Sequence, residues 1–419
     1  MRTHPLLPPL ATLLLVAGLW PARPAAAADY VDRVATLALS EPLPARGALG
    51  GVTVDALGFL YVANFHDRVW RISPEGEVET LARGFYGSSG NAIDSRGDLY
   101  QANFNGNTID RVSRTGGVTR FADTGLSGPV GIAVDADDNL FVCNCSGNYL
   151  AKVTPTGEVS RFAKGERFSC PNGITFGPDG ALYVTNYNHL DILRVTPEGE
   201  ASVFTTVPGG AGNAHIAFSK GFFYVTKIIA NLVVKVSPEG EVFPLAGTGQ
   251  PGDDDGPADE ATFYRPNGIA LSPAGDRIYL NTVIGEHGQP KPSWIAVRVI
   301  EILTLTEVLE AALEEGGVEA MTAAYHDYRA HPVRGRENTV GEMISFGYRF
   351  LSSRQVPTAL AIFTLNAEAN PGAPPAHYHL GEAFRYTGQT DAAVEQYRKV
   401  LELAPDHPNA RSRLEQLGG

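Results

Sequence analysis

The 419-residue sequence predicts an all-β propeller of six blades, closed by a strand from the N-terminus, with an all-α helical tail after it. One apolar hairpin pattern recurs six times along the first three quarters of the chain. After Leu303 the apolar period changes from that of a strand to that of a helix. A period of roughly 40 residues with four short strands per unit is typical of propellers. The recurrent aromatic position of the hairpin is occupied by Tyr61, Tyr100, Phe141, Tyr183, Tyr224 and Tyr279.

Residues 1–28 have the pattern of a secretory signal peptide. Arg2 lies in a short polar start, residues 13–20 form an uncharged apolar core, and small residues precede a cleavage point near Ala28. No later apolar run approaches the ~20 residues of a membrane span. We therefore expect an exported, soluble protein, periplasmic or secreted. The expected domains are the signal peptide (1–28), the propeller (29–304) and the helical domain (305–419).

The charge of the chain argues against nucleic acid as a partner. The net charge is −13, and removal of Arg2 and Arg23 with the signal leaves 31 basic against 46 acidic residues, or −15. A protein this acidic repels polyanions.

Each hairpin copy contains two apolar runs with turn residues between them. The turn residues Asp55, Asp94, Asp135 and Asp179 are expected to shape these turns rather than to carry chemistry. The six copies are residues 51–64, 90–103, 131–144, 173–186, 215–227 and 268–282.

The sixth copy has a third strand near residues 295–303 but no fourth strand after it. Residues 34–39 have the composition to supply the missing strand, which would remove an open sheet edge. The last spacing, from Tyr224 to Tyr279, is the longest because of residues 246–261, which include three consecutive aspartates, 253–255. We expect a solvated acidic loop. Ion binding is the alternative, although the loop lacks the ligand spacing of an EF-hand.

The segments PNGIALSPAGDRIYL and PVGIAVDADDNLFV resemble NHL repeats. Residues 30–304 are also similar to the group that includes gluconolactonase, regucalcin, virginiamycin B lyase and strictosidine synthase. This resemblance implies a propeller, in most members six-bladed. Function does not follow from it, because such folds carry lactonases, lyases and binding modules alike.

Two helical units in the tail align at a spacing of about 34 residues, the period of tetratricopeptide repeats. Small residues, aromatics and a terminal proline match position for position. Residues 306–315 and 318–330 look like a degenerate preceding pair. A protein partner for the tail is expected. The matched residues are Gly347, Phe350, Ala359, Phe363 and Pro371 in the first unit and Gly381, Phe384, Ala393, Tyr397 and Pro405 in the second.

Propeller topology brings two sets of residues to one face, the channel mouth. One set starts each inner strand, and the other follows each second strand. Amides, imidazoles and a lysine there would suit an anionic or hydroxylated small ligand. The alternative is that each recurrent Asn caps its own loop. Glu286 and His287 are further neighbours of the mouth. The predicted ligand-binding residues are Asn64, Asn103, Asn144, Asn172, Asn186, His189, Lys227 and Asn267.

The resemblance to gluconolactonase implies a divalent metal, Ca²⁺ or similar, over the channel. Asn172 and Asn267 lie in PNGI segments that match one metal-binding Asn pattern of that group. The acidic metal ligand of the gluconolactonase group is missing, because Gly50 and Gly51 occupy the position where that ligand would be needed. His215 is the candidate catalytic residue by analogy with lyase propellers, and a structural histidine is the alternative.

Of the three cysteines, Cys145 follows the second strand of the third predicted blade, and Cys170 precedes the inner strand of the fourth. Because adjacent blades bring these loops together, we predict a Cys145–Cys170 disulfide, with Cys143 as the alternative partner.

The sequence thus favours an exported propeller that binds a small ligand or protein at its mouth, with a tail for protein interaction. The alternative is a metal-dependent gluconolactonase-like hydrolase or virginiamycin B lyase-like lyase acting on a lactone or cyclic ester. The residues leave open which of the two applies.

Overall fold

The computed structural model describes residues 32–45, 48–284, 293–330 and 338–418. The predicted signal peptide lies outside the described residues, and so do Glu286 and His287. In chain order the strands are β1 (Arg33–Thr36), β2 (Leu43–Ala45), β3 (Val52–Val54), β4 (Leu60–Ala63), β5 (Arg68–Ile72), β6 (Val78–Arg83), β7 (Ser88–Ile93), β8 (Leu99–Asn103), β9 (Thr108–Val112), β10 (Val118–Ala122), β11 (Pro129–Val134), β12 (Leu140–Asn144), β13 (Tyr149–Val153), β14 (Val159–Lys164), β15 (Pro171–Phe176), β16 (Leu182–Asn186), β17 (Asp191–Val195), β18 (Ala201–Thr206), β19 (Asn213–Ser219), β20 (Phe222–Lys227), β21 (Leu232–Val236), β22 (Val242–Ala246), β23 (Gly256–Pro257), β24 (Ile269–Leu271), β25 (Arg277–Ile284) and β26 (Ser293–Glu301).

The strands form six antiparallel sheets, which confirms the predicted six-bladed propeller. Each of the first five blades is a four-stranded meander in chain order, from β3–β6 to β19–β22. The first strands of neighbouring blades contact one another, and β24 of the sixth blade contacts both β19 and β3. These first strands are therefore the inner strands of a closed ring.

A strand from the N-terminus completes the sixth blade, as predicted. β1 pairs antiparallel with β26, with Val34 opposite Ile300, and ends at Thr36, earlier than the expected strand. β2 pairs with the other half of β26, with Leu43 opposite Ile295. This second pairing was not predicted, because a three-residue strand that contains Pro44 shows no alternation.

The acidic loop before the sixth blade holds the closing strand. Asp255 accepts hydrogen bonds from the backbone nitrogen and Oγ1 of Thr36, at 2.9 and 3.0 Å. It also accepts one at 2.8 Å from Nη2 of Arg298, whose side chain is fully buried. Burial lowers the pKa of Arg298, and the negative charge of Asp255 opposes that shift. The three aspartates 253–255 are exposed as expected, although Ala258 and Ala261 of the same loop are buried. Asp255 has a structural role that the sequence did not indicate.

The hairpin aspartates shape their turns on the face opposite the mouth, as expected. Asp55 Oδ1 accepts the backbone N–H groups of Leu57 and Phe59, both at 2.9 Å. Its Oδ2 accepts a hydrogen bond from the Tyr61 hydroxyl at 3.1 Å. Tyr100 and Tyr183 bond the turn aspartates of their blades in the same way, so in three blades the recurrent aromatic residue helps to fix the turn.

The described residues of the tail form helices joined by short loops. A break at Gly316 and Gly317 divides its first helix into two segments that match the predicted degenerate pair. A Cβ on Gly347 would lie 2.7 Å from the Phe363 ring, so the missing side chain allows the helices to pack closely. None of the described helices has the length and hydropathy needed to cross a membrane. The helices are α1 (Leu305–Ala330), α2 (Val340–Ser352), α3 (Val356–Ala369), α4 (Pro374–Tyr386), α5 (Thr390–Leu403) and α6 (Pro408–Leu417).

Candidate functional site at the channel mouth

The channel mouth is the face where inner strands begin and second strands end. Pro129 lies opposite Asn144 in the third blade, and Pro171 lies opposite Asn186 in the fourth. The two sets of predicted residues are therefore side by side in each blade.

Three of the predicted asparagines are buried and bind the loops of their own blades. Asn64 Oδ1 accepts three backbone N–H groups of the loop that follows it. Asn144 Oδ1 accepts the N–H of Ser127 at 2.7 Å, and Asn186 Oδ1 accepts that of Ser169 at 3.0 Å. These contacts correspond to the loop-capping alternative, because the amides face the protein rather than the mouth.

Asn103 is also buried, and it is only partly satisfied. Its Nδ2 donates to Asp110 Oδ2 at 2.9 Å and to Thr108 Oγ1 at 3.1 Å. Its Oδ1 is buried and has no hydrogen-bond partner in the described part of the chain. The second blade thus has a polar interior behind the mouth.

Lys227 stands where four other blades have Asn, and the residue is 0% exposed. Nζ donates to the carbonyl of Gly210 at 2.9 Å and to Asn213 Oδ1 at 3.1 Å. Burial lowers the pKa of Lys227 to about 8. The lysine therefore braces the loop before its own blade and presents no charge at the surface of the mouth.

His189 is the one predicted ligand residue with an exposed side chain. Its Nδ1 lies 3.0 Å from Asp191 Oδ2. His66, in the first blade, is similarly exposed, with Nδ1 3.4 Å from Asp67 Oδ1. Each imidazole is thus paired with the carboxylate of its own loop.

A β-bulge starts the inner strand of every blade. In β7, β11, β15 and β19 two residues oppose one residue of the second strand, and backbone hydrogen bonds give the same arrangement in the first and sixth blades. Bulges of this kind often lie beside functional sites. The second bulge residues form what we call the bulge ring: Gly51, Gly90, Gly131, Gly173, His215 and Gly268.

The bulge ring is glycine-rich because the inner strands nearly touch. A Cβ on Gly51 would lie 2.9 Å from the Cα of Gly90, and one on Gly173 would lie 2.6 Å from the Cα of His215. His215 is the single residue of the ring with a side chain.

The imidazole of His215 has no hydrogen-bond partner among the described residues, although its backbone N–H donates to Thr226 Oγ1 at 3.1 Å. Burial among the inner strands lowers its pKa to about 4. The ring is therefore neutral at pH 7, with one donor and one acceptor nitrogen.

Asn172 and Asn267 are first bulge residues of the fourth and sixth blades. Asn172 Oδ1 is buried without a hydrogen-bond partner in the described part of the chain. Asn267 Nδ2 donates to the carbonyls of Leu49 and Gly50, at 2.8 and 2.9 Å, and so joins the sixth blade to the first. The side-chain oxygen of Asn172 is thus an unsatisfied acceptor, whereas the amide nitrogen of Asn267 is engaged.

The described residues of the mouth do not fit a divalent metal centre. Within them no group of three or more His, Cys, Asp or Glu side chains is arranged to hold a metal ion. Asn172 and Asn267 supply amide groups without a carboxylate, and Ca²⁺ prefers carboxylate ligands. We therefore derive no metal-dependent step for this site.

Cys145 and Cys170 are joined by a disulfide bond in the structure. It connects the loop after β12 to the start of β15, two residues before Asn172. Cys143 is a buried free thiol whose Sγ lies 3.8 Å from the carbonyl oxygen of Gly173, and burial raises its pKa well above the usual value.

Two mouth residues that the sequence reasoning missed are Phe65 and Phe104. Their ring centroids are 5.6 Å apart. The sequence contains a pattern that could have identified them, because an aromatic residue directly follows the loop asparagine in both blades, as Asn64-Phe65 and Asn103-Phe104.

Comparisons with known proteins agree with this architecture. Residues 41–249 match the sequence model of the virginiamycin B lyase family, and residues 374–407 match a tetratricopeptide repeat. No curated protein matches the chain.

Solved propeller structures share the fold at low identity. A virginiamycin B lyase from Staphylococcus aureus is 18% identical, with a TM-score of 0.47, over 65% of this chain and 100% of that one. A gluconolactonase from Xanthomonas campestris is 17% identical, with a TM-score of 0.48, over 67% and 99%. An auxiliary nutrient binding protein from Bacteroides thetaiotaomicron is 16% identical, with a TM-score of 0.52, over 64% and 77%. The chain is a six-bladed propeller that matches the virginiamycin B lyase family model over residues 41–249, followed by a helical tail that carries a tetratricopeptide repeat.

Proposed function

We propose that this chain is an exported propeller that binds a small, uncharged polar ligand at its channel mouth. The observation that supports the proposal most is that His215 is the one residue of the bulge ring with a side chain. It is neutral at pH 7 and has no partner among the described residues. On the neighbouring inner strand, the buried Oδ1 of Asn172 also lacks a partner within the described part of the chain. Buried polar groups are normally satisfied, so a ligand that donates to Asn172 Oδ1 would supply the missing hydrogen bond, and the half-buried imidazole of His215 could bond to the same ligand.

The proposed site is narrower than the set of residues expected from the sequence. It centres on Asn172 and His215, with His189 on the exposed rim. Asn64, Asn144 and Asn186 support loops in this proposal, and Lys227 and Asn267 brace the blades. An anionic ligand is disfavoured, because the Lys227 ammonium is buried and engaged by protein oxygens.

Export is part of the proposal. It is supported by the signal-like residues 1–28 and by the disulfide, since such bonds persist in oxidising compartments. The tetratricopeptide repeat supports a protein partner for the tail, because stacked repeats form extended binding surfaces.

The experiment is a thermal-shift screen of uncharged metabolites, followed by calorimetry on the ligand that is found. His215→Ala and Asn172→Ala are each expected to weaken binding at least tenfold. His326→Ala, in the exposed surface of α1, is the matched control. Equal affinities in all four proteins would contradict the proposed site.

A lyase or hydrolase acting on a lactone or cyclic ester is the second candidate function. The specific observation in its favour is the match of residues 41–249 to the virginiamycin B lyase family model. A neutral imidazole is also suited to proton transfer. Turnover of a lactone or cyclic ester that is abolished by His215→Ala would favour this candidate over binding alone.

A further inference from the structure

An aromatic cluster lies on the mouth side of the first two blades. Phe65 and Phe104 follow the ends of the second strands, with ring centroids 5.6 Å apart and planes inclined at 42°. Tyr86, in the loop between β6 and β7, is 67% exposed. Its carbonyl accepts the N–H of Gly106 at 3.1 Å, so its loop is tied to that of Phe104. We call Phe65, Tyr86 and Phe104 the aromatic platform.

The platform is not part of the hydrophobic core. The apolar clusters that fill the first two blades are built from strand residues such as Val69 and Ile109 and include neither Phe65 nor Phe104. Phe65 and Phe104 are half-buried and Tyr86 is exposed, so the group leaves apolar ring area in water, and apolar patches at the surface can mark binding sites.

The backbone at Phe65 is an independent sign of function. Its φ is +54°, in the left-handed region, which is unfavourable for a bulky side chain. In other mouth loops Asn adopts this conformation later in the loop, at Asn107, Asn148 and Asn231. Phe65 is the one aromatic among the described non-glycine residues that adopt it. Strained residues of this kind cluster at ligand sites, where the side chain is needed.

The charges beside the platform are already paired with each other. Asp67 Oδ1 accepts hydrogen bonds from Arg68 Nε at 3.3 Å and Asn64 Nδ2 at 3.2 Å, and His66 Nδ1 lies 3.4 Å away. This described loop therefore leaves no unpaired charge beside the platform that could bind a charged ligand. His66 and Asn105, which directly follow Phe65 and Phe104 in the sequence, are exposed planar polar groups.

We propose that the aromatic platform binds the C–H face of a sugar ring in a neutral oligosaccharide. A sugar ring has an apolar face that packs on aromatic rings and a hydroxyl edge that bonds to amides and imidazoles. Because the Phe65 and Phe104 centroids are only 5.6 Å apart, the two rings form one continuous apolar surface on which such a face can pack. This inference deepens the proposed function and rests on it, because it names the ligand class of the same mouth.

The test is binding of the full chain to an array of immobilised neutral oligosaccharides, with calorimetry on the best ligand. Phe65→Asn and Phe104→Ala are each expected to weaken binding more than tenfold. Phe65→Asn keeps the fold, because Asn tolerates the left-handed conformation, and its unfolding temperature should stay the same or rise. Tyr386→Ala, an exposed tyrosine at the end of α4, is the matched control and should bind like the parent protein.

Three outcomes would contradict this inference, and the first of them separates it from the proposed function. If a ligand binds through His215 and Asn172 but its affinity is unchanged in Phe65→Asn and Phe104→Ala, the mouth is a binding site and the saccharide platform is wrong. If neither the array nor the metabolite screen yields a ligand, both proposals fail. Affinity that falls steeply with added salt would also overturn the platform, because a neutral sugar has no charge to screen.

Discussion

The disulfide between Cys145 and Cys170 lies two residues from Asn172, whose side-chain oxygen is buried without a described partner. Because the bond joins the third blade to the fourth, it fixes the strand start that presents Asn172 beside His215. The covalent link thus stabilises the part of the mouth where we propose the ligand lies.

We predict one free thiol per chain when the non-reduced protein is unfolded, and three after reduction. Cys143 is the free one, and its burial should keep it unreactive until the protein unfolds. Removing the bond with Cys145→Ser should lower the free energy of unfolding by about 3 kcal/mol, because the bond closes a long loop of the unfolded chain. Thiol titration in urea and urea unfolding curves measure the two effects. Three free thiols without reductant would contradict the predicted bond.

The buried Lys227 should make stability depend on alkaline pH. Its pKa is about 8 in the folded chain against 10.5 unfolded, so between these values the unfolded state binds more protons. The free energy of unfolding therefore rises with pH through this window, by about 3 kcal/mol at ~1.4 kcal/mol per pKa unit. Urea unfolding at pH 7.5 and pH 10 should show the rise in the parent protein and not in Lys227→Met. Equal changes in both proteins would exclude Lys227 as the cause.

His215 should titrate near pH 4. Its folded pKa lies below the unfolded value of 6.5, so its contribution to the free energy of unfolding falls as pH drops from 6.5 towards 4. The Cε1–H resonance, assigned by its loss in His215→Ala, should shift near pH 4 in an NMR titration. A midpoint near 6.5 would mean that the imidazole is solvated and that the proposed buried site is wrong.

Asp255 should be needed for the closure of the propeller. Asp255→Asn removes the charge opposite the buried Arg298 and weakens the contact with Thr36 of β1. Breaking a buried pair costs several kcal/mol, and since Asp255 is itself half-exposed we expect about 2 kcal/mol. Asp253→Asn, in the same loop, is the control and should change stability by less than about 0.5 kcal/mol. Equal urea midpoints for the two variants would refute this role of Asp255.

The repeats made the propeller predictable, whereas the chemistry of its mouth depends on side-chain directions that the repeats do not encode. The missing fourth strand of the last copy pointed directly to β1. By contrast, the spacing that located Asn64 and Asn186 gave no information on whether their amides face the loops or the channel. Lys227 occupies the same repeat position, and only the approach of the loop at Gly210 reveals that it is buried.

Gly341 and Gly347 provide a matched test of the repeat packing in the tail, because both lie in α2. A Cβ on Gly347 would lie 2.7 Å from the ring of the fully buried Phe363, whereas one on Gly341 would meet no atom within 4 Å. Gly347→Ala should lower the free energy of unfolding of the tail by about 2 kcal/mol through overpacking. Gly341→Ala should raise it slightly, because alanine favours the helix and Gly341 lies in the first turn of α2, where the propensity effect is smaller than in the interior. The hydrogen-exchange rates of backbone amides in α2 and α3 measure both changes in stability. If the two variants change these rates in the same direction, the contact with Phe363 does not hold these helices together.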